Sequence, residues 1–202
     1  MGNTVIHFDP SSHTYSLDGR KLPNVTSILS PLSVYAGIPQ HLLEAAAQRG
    51  NDVHKACELY LWDLLDEESL CDEYKSYLAG FKKFLHETRF QAEQVEERVY
   101  HKTLLYAGTL DMGGLLPSGK KTRRALIDIK TTFALLASVG PQTAAYAEAW
   151  NSMHDKDQHF VERFGLQLKA DGTYKMLPFN HPSDMTIFRS CLNVHNFMRK
   201  AA

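Results

Sequence analysis

The apolar positions of this chain fall into two periods, and the change from one to the other marks out its elements. Residues 4–22 alternate loosely: Val5, Ile6 and Phe8, a turn at Asp9-Pro10-Ser11-Ser12, then Tyr15 and Leu17 before Asp18-Gly19, a tight-turn pair. This predicts a small N-terminal hairpin or meander ending at Leu22-Pro23. Residues 24–29 then predict a short helix, with Asn24 or Thr26 available as its N-cap. Between about 39 and 65 the apolar residues (Leu42, Leu43, Ala46, Val53, Cys57, Tyr60, Leu61, Leu64) recur every three or four positions, so a helix is expected. Gly50 and Asn51 interrupt that pattern and predict a bend or restart. A second helix is expected over 69–88, with Tyr74, Tyr77, Leu78, Phe81, Phe84 and Leu85 on one side.

Beyond Val95 the period drops towards two. A strand over 95–100 carries Glu96 and Glu97, and two more flank the turn residues Pro117, Ser118 and Gly119, which predicts an antiparallel hairpin. A helix over 141–153, a strand pair over 160–168 and 174–179 around Asp171-Gly172, and a closing helix over 182–199 complete the chain. The expected class is α/β: a central mixed sheet flanked by helices in one unit of 1–202, with an N-terminal part (1–90) and a sheet-bearing part (91–202).

The hairpin carries the chemistry. Pairing its strands places Asp111 near Asp128, and Lys130, two positions on, points to the same face as Asp128. Two carboxylates and an ammonium on one sheet face are costly unless a divalent cation lies between the acids. Such a set predicts metal-dependent hydrolysis of a phosphate ester.

Composition narrows this only a little. The chain has 202 residues, 44% hydrophobic and 22% charged, as ordinary soluble domains do. No apolar run approaches the roughly 20 residues of a membrane span, and Met1–His7 lacks a signal-peptide layout. A lipid-modification start at Gly2 is discounted. A net charge of −1 excludes a protein that coats DNA through bulk charge, so any contact with nucleic acid is expected to be local and metal-assisted. The three cysteines (Cys57, Cys71, Cys191) are scattered and form no C-x-x-C. This argues against an iron–sulfur cluster, a zinc site or a disulfide framework and for a reducing, intracellular compartment.

Four short elements occur in order: Gly50 four residues before His54; Gly108-Thr109-Leu110-Asp111; Asp128-Ile129-Lys130; and Gln142 one helical turn from Tyr146. Together they resemble the G-x-x-x-H, G-x-x-D, (D/E)-x-K and Q-x-x-x-Y elements of the RecB-type branch of the PD-(D/E)XK nuclease superfamily. They cover about half of the chain. The stretch Pro23-Asn24-Val25-Thr26-Ser27-Ile28-Leu29 is similar to the lead-in of mitochondrial-genome-maintenance type exonucleases and small phage-encoded RecB-like nucleases, with Asn24 where Ser is common.

The resemblance implies a restriction-endonuclease-like core with an N-terminal hairpin and helical arch, and a Mg²⁺- or Mn²⁺-dependent deoxyribonuclease. Asp111, Asp128, His54 and the Ile129 carbonyl would hold the metal, and an imidazole ligand tilts preference towards Mn²⁺. Lys130 would orient or activate the attacking water, and Glu97 would assist the metal, with Glu96 facing away into solvent. Gln142, Tyr146, Thr131, Arg49, Lys120 and Lys121 are the candidate DNA contacts. For each of these a capping, packing or solvated role is the competing reading, as it is for Arg123 and Arg124 in the same basic run. Tyr35, Trp62, Tyr74 and Tyr77 are either stacking platforms or helix-core residues. His7, His13, His101, His154, His159, His181 and His195 show no ligand spacing.

The expected activity is exonucleolytic, on single-stranded DNA or DNA ends, with a helicase or single-strand-binding partner and the oligomeric state both open. The alternatives are a recombination-type double-strand exonuclease, a structure-specific endonuclease, a metallohydrolase acting on RNA or nucleotides, and a DNA-end-binding protein that retains the fold.

Overall fold

The computed structural model describes residues 6–33 and 37–201; Tyr35 and the first residues of the expected hairpin lie outside them. The chain begins as an antiparallel meander, β1 (Ile6–Asp9), β2 (Thr14–Leu17) and β3 (Arg20–Leu22), turned at Asp18-Gly19, where both residues have positive φ. Asn24 caps α1 (Val25–Ile28), its side chain accepting from the Ser27 N–H at 2.7 Å. The helix α2 (Gln40–Leu61) runs unbroken through Gly50 and Asn51, so the restart given there as one of two expectations does not occur. Its heptad-like contacts resume immediately at Val53, Ala56 and Cys57, all buried, and this packing outweighs the glycine's ~1 kcal/mol propensity cost. Then α3 (Asp72–Thr88) buries Tyr77, Leu78, Phe81 and Phe84.

The main sheet has five strands in the order β4 (Gln91–Tyr100), β5 (Ala107–Ser118), β6 (Lys121–Lys130), β7 (Glu162–Leu168), β8 (Tyr174–Pro178). It is mixed: only β6 and β7 are parallel, joined by a crossover containing α4 (Val139–Met153). The closing helix is α5 (Asp184–Ala201). The expected hairpin is therefore the β5–β6 pair near the middle of the sheet, turned at Gly119 with φ +61°. At Gly114 a side chain would run into the backbone carbonyl of Gln91, so the close approach of β4 to β5 needs glycine there.

Each face of the sheet carries its own core. Leu110 and Leu126 pack with Val99 among α1, α4 and α5 (Ile28, Ala145, Trp150, Phe188). Met112, Ile127 and Ile129 pack on the other face with α2 and α3 (Val53, Phe81, Phe84) and with Leu166 of β7. Both cores are closely filled, so the strands that carry the acids are held from two sides. Among the described residues no helix is long and apolar enough to cross a membrane.

Candidate metal centre

The site is made by two strands parting. The β5–β6 ladder runs from the turn to Met112↔Ile127 and stops there, while β6 stays paired to β7 through Asp128↔Gly165, Ile129↔Leu166 and Lys130↔Gln167. Where the ladder stops, the N–H of Ile129 donates to Asp111 Oδ2 at 2.6 Å. A carboxylate thus takes the place of a missing ladder carbonyl, and this fixes its orientation.

Its other oxygen faces α2. His54 Nδ1 lies 3.7 Å from Asp111 Oδ1 and 3.7 Å from Glu96 Oε1, and His54 Nε2 lies 3.0 Å from the Ile129 carbonyl oxygen. One ligand atom from each of His54, Glu96 and Asp111 falls within 4.8 Å of the others. Asp128 lies outside that trio but close enough for Asp111 and His54 to influence its charge. It is 1% exposed, with Lys130 Nζ 2.6 Å from Oδ2 and no hydrogen-bond partner for Oδ1 among the described residues.

Electrostatics express the strain of this assembly. Burial raises Asp111, against the pull of His54 and Lys130. Burial also pushes Asp128 up to about 6, with Lys130 opposing and Asp111 reinforcing the rise. For His54 burial works against the charged ring, yet Asp111 and Glu96 outweigh it and hold the imidazolium up to about 9. Without a cation, then, protons and one lysine carry the job of balancing three acids.

These groups fit a divalent ion on two grounds. The buried Asp128 Oδ1 has no hydrogen-bond donor among the described residues. His54 Nε2 is hydrogen-bonded to the Ile129 oxygen at 3.0 Å, which turns Nδ1 towards the two carboxylates. The donor set of carboxylates, one carbonyl and one imidazole suits Mg²⁺ or Mn²⁺ rather than a thiophilic metal.

The expected facing of Glu96 and Glu97 is reversed. The loop of residues 101–106 closes Tyr100 onto Ala107, so Val95 pairs with Met112 and Glu97 with Leu110, which leaves Glu96 opposite Asp111 and on its face. Glu97 is exposed, whereas Glu96 is half-buried with φ +49°, a strained backbone for a non-glycine residue. The register depends on the geometry of that loop, which no pattern of apolar residues reveals.

The other candidates divide. Arg49 is half-buried, its Nε enclosed without a hydrogen-bond partner, and Thr131 is buried beside Gly50. Tyr146 is buried in the core rather than presented to solvent, and burial raises its hydroxyl well above the usual range. Gln142 Nε2 donates to Tyr146 Oη at 3.4 Å. Gly108 explains the first glycine of its element: a Cβ there would sit 2.5 Å from Tyr146 Cε1.

Lys120 and Lys121 ride on the hairpin tip, eight and seven residues from Asp128, and Lys121 is thus about 23 Å away along the strand, so the structure does not bring them to the acids. Arg123 pairs with Glu162, and Arg124 with Glu93 at 2.6 Å, so both are occupied within the fold. Tyr77 is core, the Tyr74 hydroxyl donates to Asp52 at 2.9 Å, and Trp62 is exposed at the end of α2. The lead-in segment docks on the same strand as the acid: the Ala107 N–H donates to the Pro23 carbonyl at 3.0 Å, and Tyr15 Oη lies 2.8 Å from Thr109 Oγ1.

Compared with models of known protein families and with curated proteins, the sequence matches none.

Proposed function

We propose that this chain is a metal-dependent deoxyribonuclease with a restriction-endonuclease-like core, acting on single-stranded DNA or DNA ends. The observation that carries the reading is the meeting of His54, Glu96 and Asp111 within 4.8 Å, beside the buried Asp128–Lys130 pair. An ion pair whose acid is 1% exposed is a poor stabiliser, because desolvating the charges offsets their attraction. Its persistence next to three more ligating groups is best explained by chemistry performed there.

His54, Asp111, Asp128 and the Ile129 carbonyl would hold the ion, with Glu96 in the part first given to Glu97. When bound, a divalent cation polarises a phosphate oxygen and makes a nearby water a better nucleophile. Lys130, held by Asp128, orients that water and offsets the negative charge that grows on the phosphate during in-line attack. The water oxygen bonds to phosphorus and the bond to the 3′ oxygen breaks. The 3′ oxygen takes up a proton, leaving 5′-phosphate and 3′-hydroxyl ends. Ile129, fixed by Asp111 on one side and by β7 on the other, keeps Asp128 and Lys130 in register through the reaction.

End dependence is proposed from α2. Its first turns leave Leu42 exposed (53%), ahead of His54 on the same rod, and would arch over the site so that a strand must thread beneath. Digestion of end-labelled linear DNA beside closed circles, with Mg²⁺ or Mn²⁺, tests the assignment. Linear strands should be degraded from an end and circles spared; equal cutting of circles removes the exonuclease claim. Between the two glutamates, Glu96→Gln should lower the rate at least ~10-fold and Glu97→Gln less than threefold, an effect expected of a ligand-shell group. The opposite ranking would return the role to Glu97.

A further inference from the structure

A cleft of about 520 Å³ opens at the C-terminal ends of β6 and β7, one residue beyond Lys130. Arg49, Lys169 and Lys175 line it together with Thr131 and Thr132, and no acidic residue does. None of the three cations is in a salt bridge among the described residues, and Arg49 Nε is buried without a partner. In a chain of net charge −1, three cations lining one cleft with no carboxylate in its lining mark a local positive site, although Asp171 lies close enough to Lys169 to feel its charge.

At the lip stands Phe133, 103% exposed, the most exposed large apolar side chain described. The backbone behind it is pinned. Gln167, itself 6% exposed, donates its amide to the carbonyls of Thr132 at 2.8 Å and Phe133 at 2.6 Å. A buried glutamine in β7 thus spends both of its N–H donors holding the segment that presents a bare aromatic ring beside the cations. Phosphate-binding charge next to an aromatic face is the chemistry that grips an unpaired nucleic-acid strand, since every base offers a π-face and a duplex offers none sideways.

We propose that this cleft holds the DNA strand continuing from the metal centre, with its phosphates on Arg49, Lys169 and Lys175 and an unpaired base stacked on Phe133. The proposal rests on the nuclease reading for its substrate, and it assigns Phe133, Lys169 and Lys175 as the residues that select a single strand. Phe133 and Lys175 are exposed and Lys169 half-buried, and none of the three is among the buried core residues.

The test is binding of a fluorescein-labelled oligodeoxythymidine and of a duplex of equal length, in chelator, as a function of salt. The unmodified chain should bind the single strand more tightly. Lys169→Ala/Lys175→Ala should lower the slope of log affinity against log salt by about 1.4, two phosphates' worth for a single strand. Phe133→Ala should weaken single-strand binding roughly 5- to 150-fold, with Phe133→Trp restoring it and Phe133→Leu failing to. An unchanged salt slope, or leucine serving as well as tryptophan, overturns the proposal. Since no cleavage is needed, the two readings separate. Normal oligonucleotide binding by the lysine variant of an active nuclease sinks the cleft alone. Lost binding in these variants of a chain that cuts nothing sinks the nuclease reading and leaves the cleft standing.

Discussion

Asp128→Asn and Lys130→Ala should each lower metal-dependent cleavage of end-labelled DNA by at least ~100-fold under single-turnover conditions, the scale of removing one preorganised charge-stabilising group. The two substitutions fail for different reasons. Asp128→Asn takes away the proposed hard anionic ligand, whose Oδ1 has no hydrogen-bond partner among the described residues, and leaves Lys130 without the carboxylate that lies 2.6 Å from its ammonium. Lys130→Ala leaves that carboxylate buried and uncompensated, so its affinity for protons rises further and its hold on a cation weakens with it. Stranding the buried Asp128 carboxylate in Lys130→Ala costs of the order of 3–5 kcal/mol, against a typical total stability of 5–15 kcal/mol. Far-UV circular dichroism must therefore accompany the rates. Lys130→Arg keeps the charge but not the compact ammonium, and should recover less than a tenth of the lost rate. Activity within tenfold of the unmodified chain in Asp128→Asn would remove this mechanism.

What the sequence made legible follows from which physical signals are local. The β5–β6 hairpin was readable because Leu126, Ile127 and Ile129 are strand-forming and Gly119 supplies the positive φ of its turn. The α1 cap was readable because an asparagine three residues before Ser27 is a short-range geometry. The sheet as a mixed one, with the hairpin near its centre, was readable from the alternation of strands and helices. Failures arose where long-range geometry decides. Gly50 stays helical because residues three and more positions later anchor α2 to the core. Glu96 rather than Glu97 faces Asp111 because a six-residue loop sets the register of β4. Tyr146, a candidate DNA contact whose alternative was a half-buried packing role, is buried in space that Gly108, some forty residues earlier, leaves open. Phe133, Lys169 and Lys175 come from two loops that only the β6–β7 pairing brings together, and nothing in their spacing marks them.

A second large effect is expected on stability, with a sign that separates a cation site from a structural one. In chelator, the melting temperature should fall steadily from pH 5 to pH 9. Asp128, raised from 3.8 to about 6, binds more protons folded than unfolded between those values, so stability is lost as pH rises through that window. His54, raised from 6.5 to about 9, contributes stability that is fully present below 6.5 and lost as pH climbs to 9. The two windows join into one descending slope. Only the part of the Asp128 shift above pH 5 is read in this scan, about one unit or of the order of 1 kcal/mol, a few degrees in a domain of this size. A divalent cation competes with those protons. Saturating Mn²⁺ should therefore raise the melting temperature most at pH 8 and least at pH 5, a hundred times its dissociation constant stabilising the fold by about 2.7 kcal/mol. Asp128→Asn should melt higher than the unmodified chain in chelator above pH 6 and lose much of the response to Mn²⁺. The substitution that removes catalysis would then be one that steadies the fold, as expected where charges are gathered for function against the preference of the core. A lower melting temperature for Asp128→Asn in chelator at pH 8, with an undiminished response to Mn²⁺, would make Asp128 a structural partner of Lys130 and remove it from the metal centre.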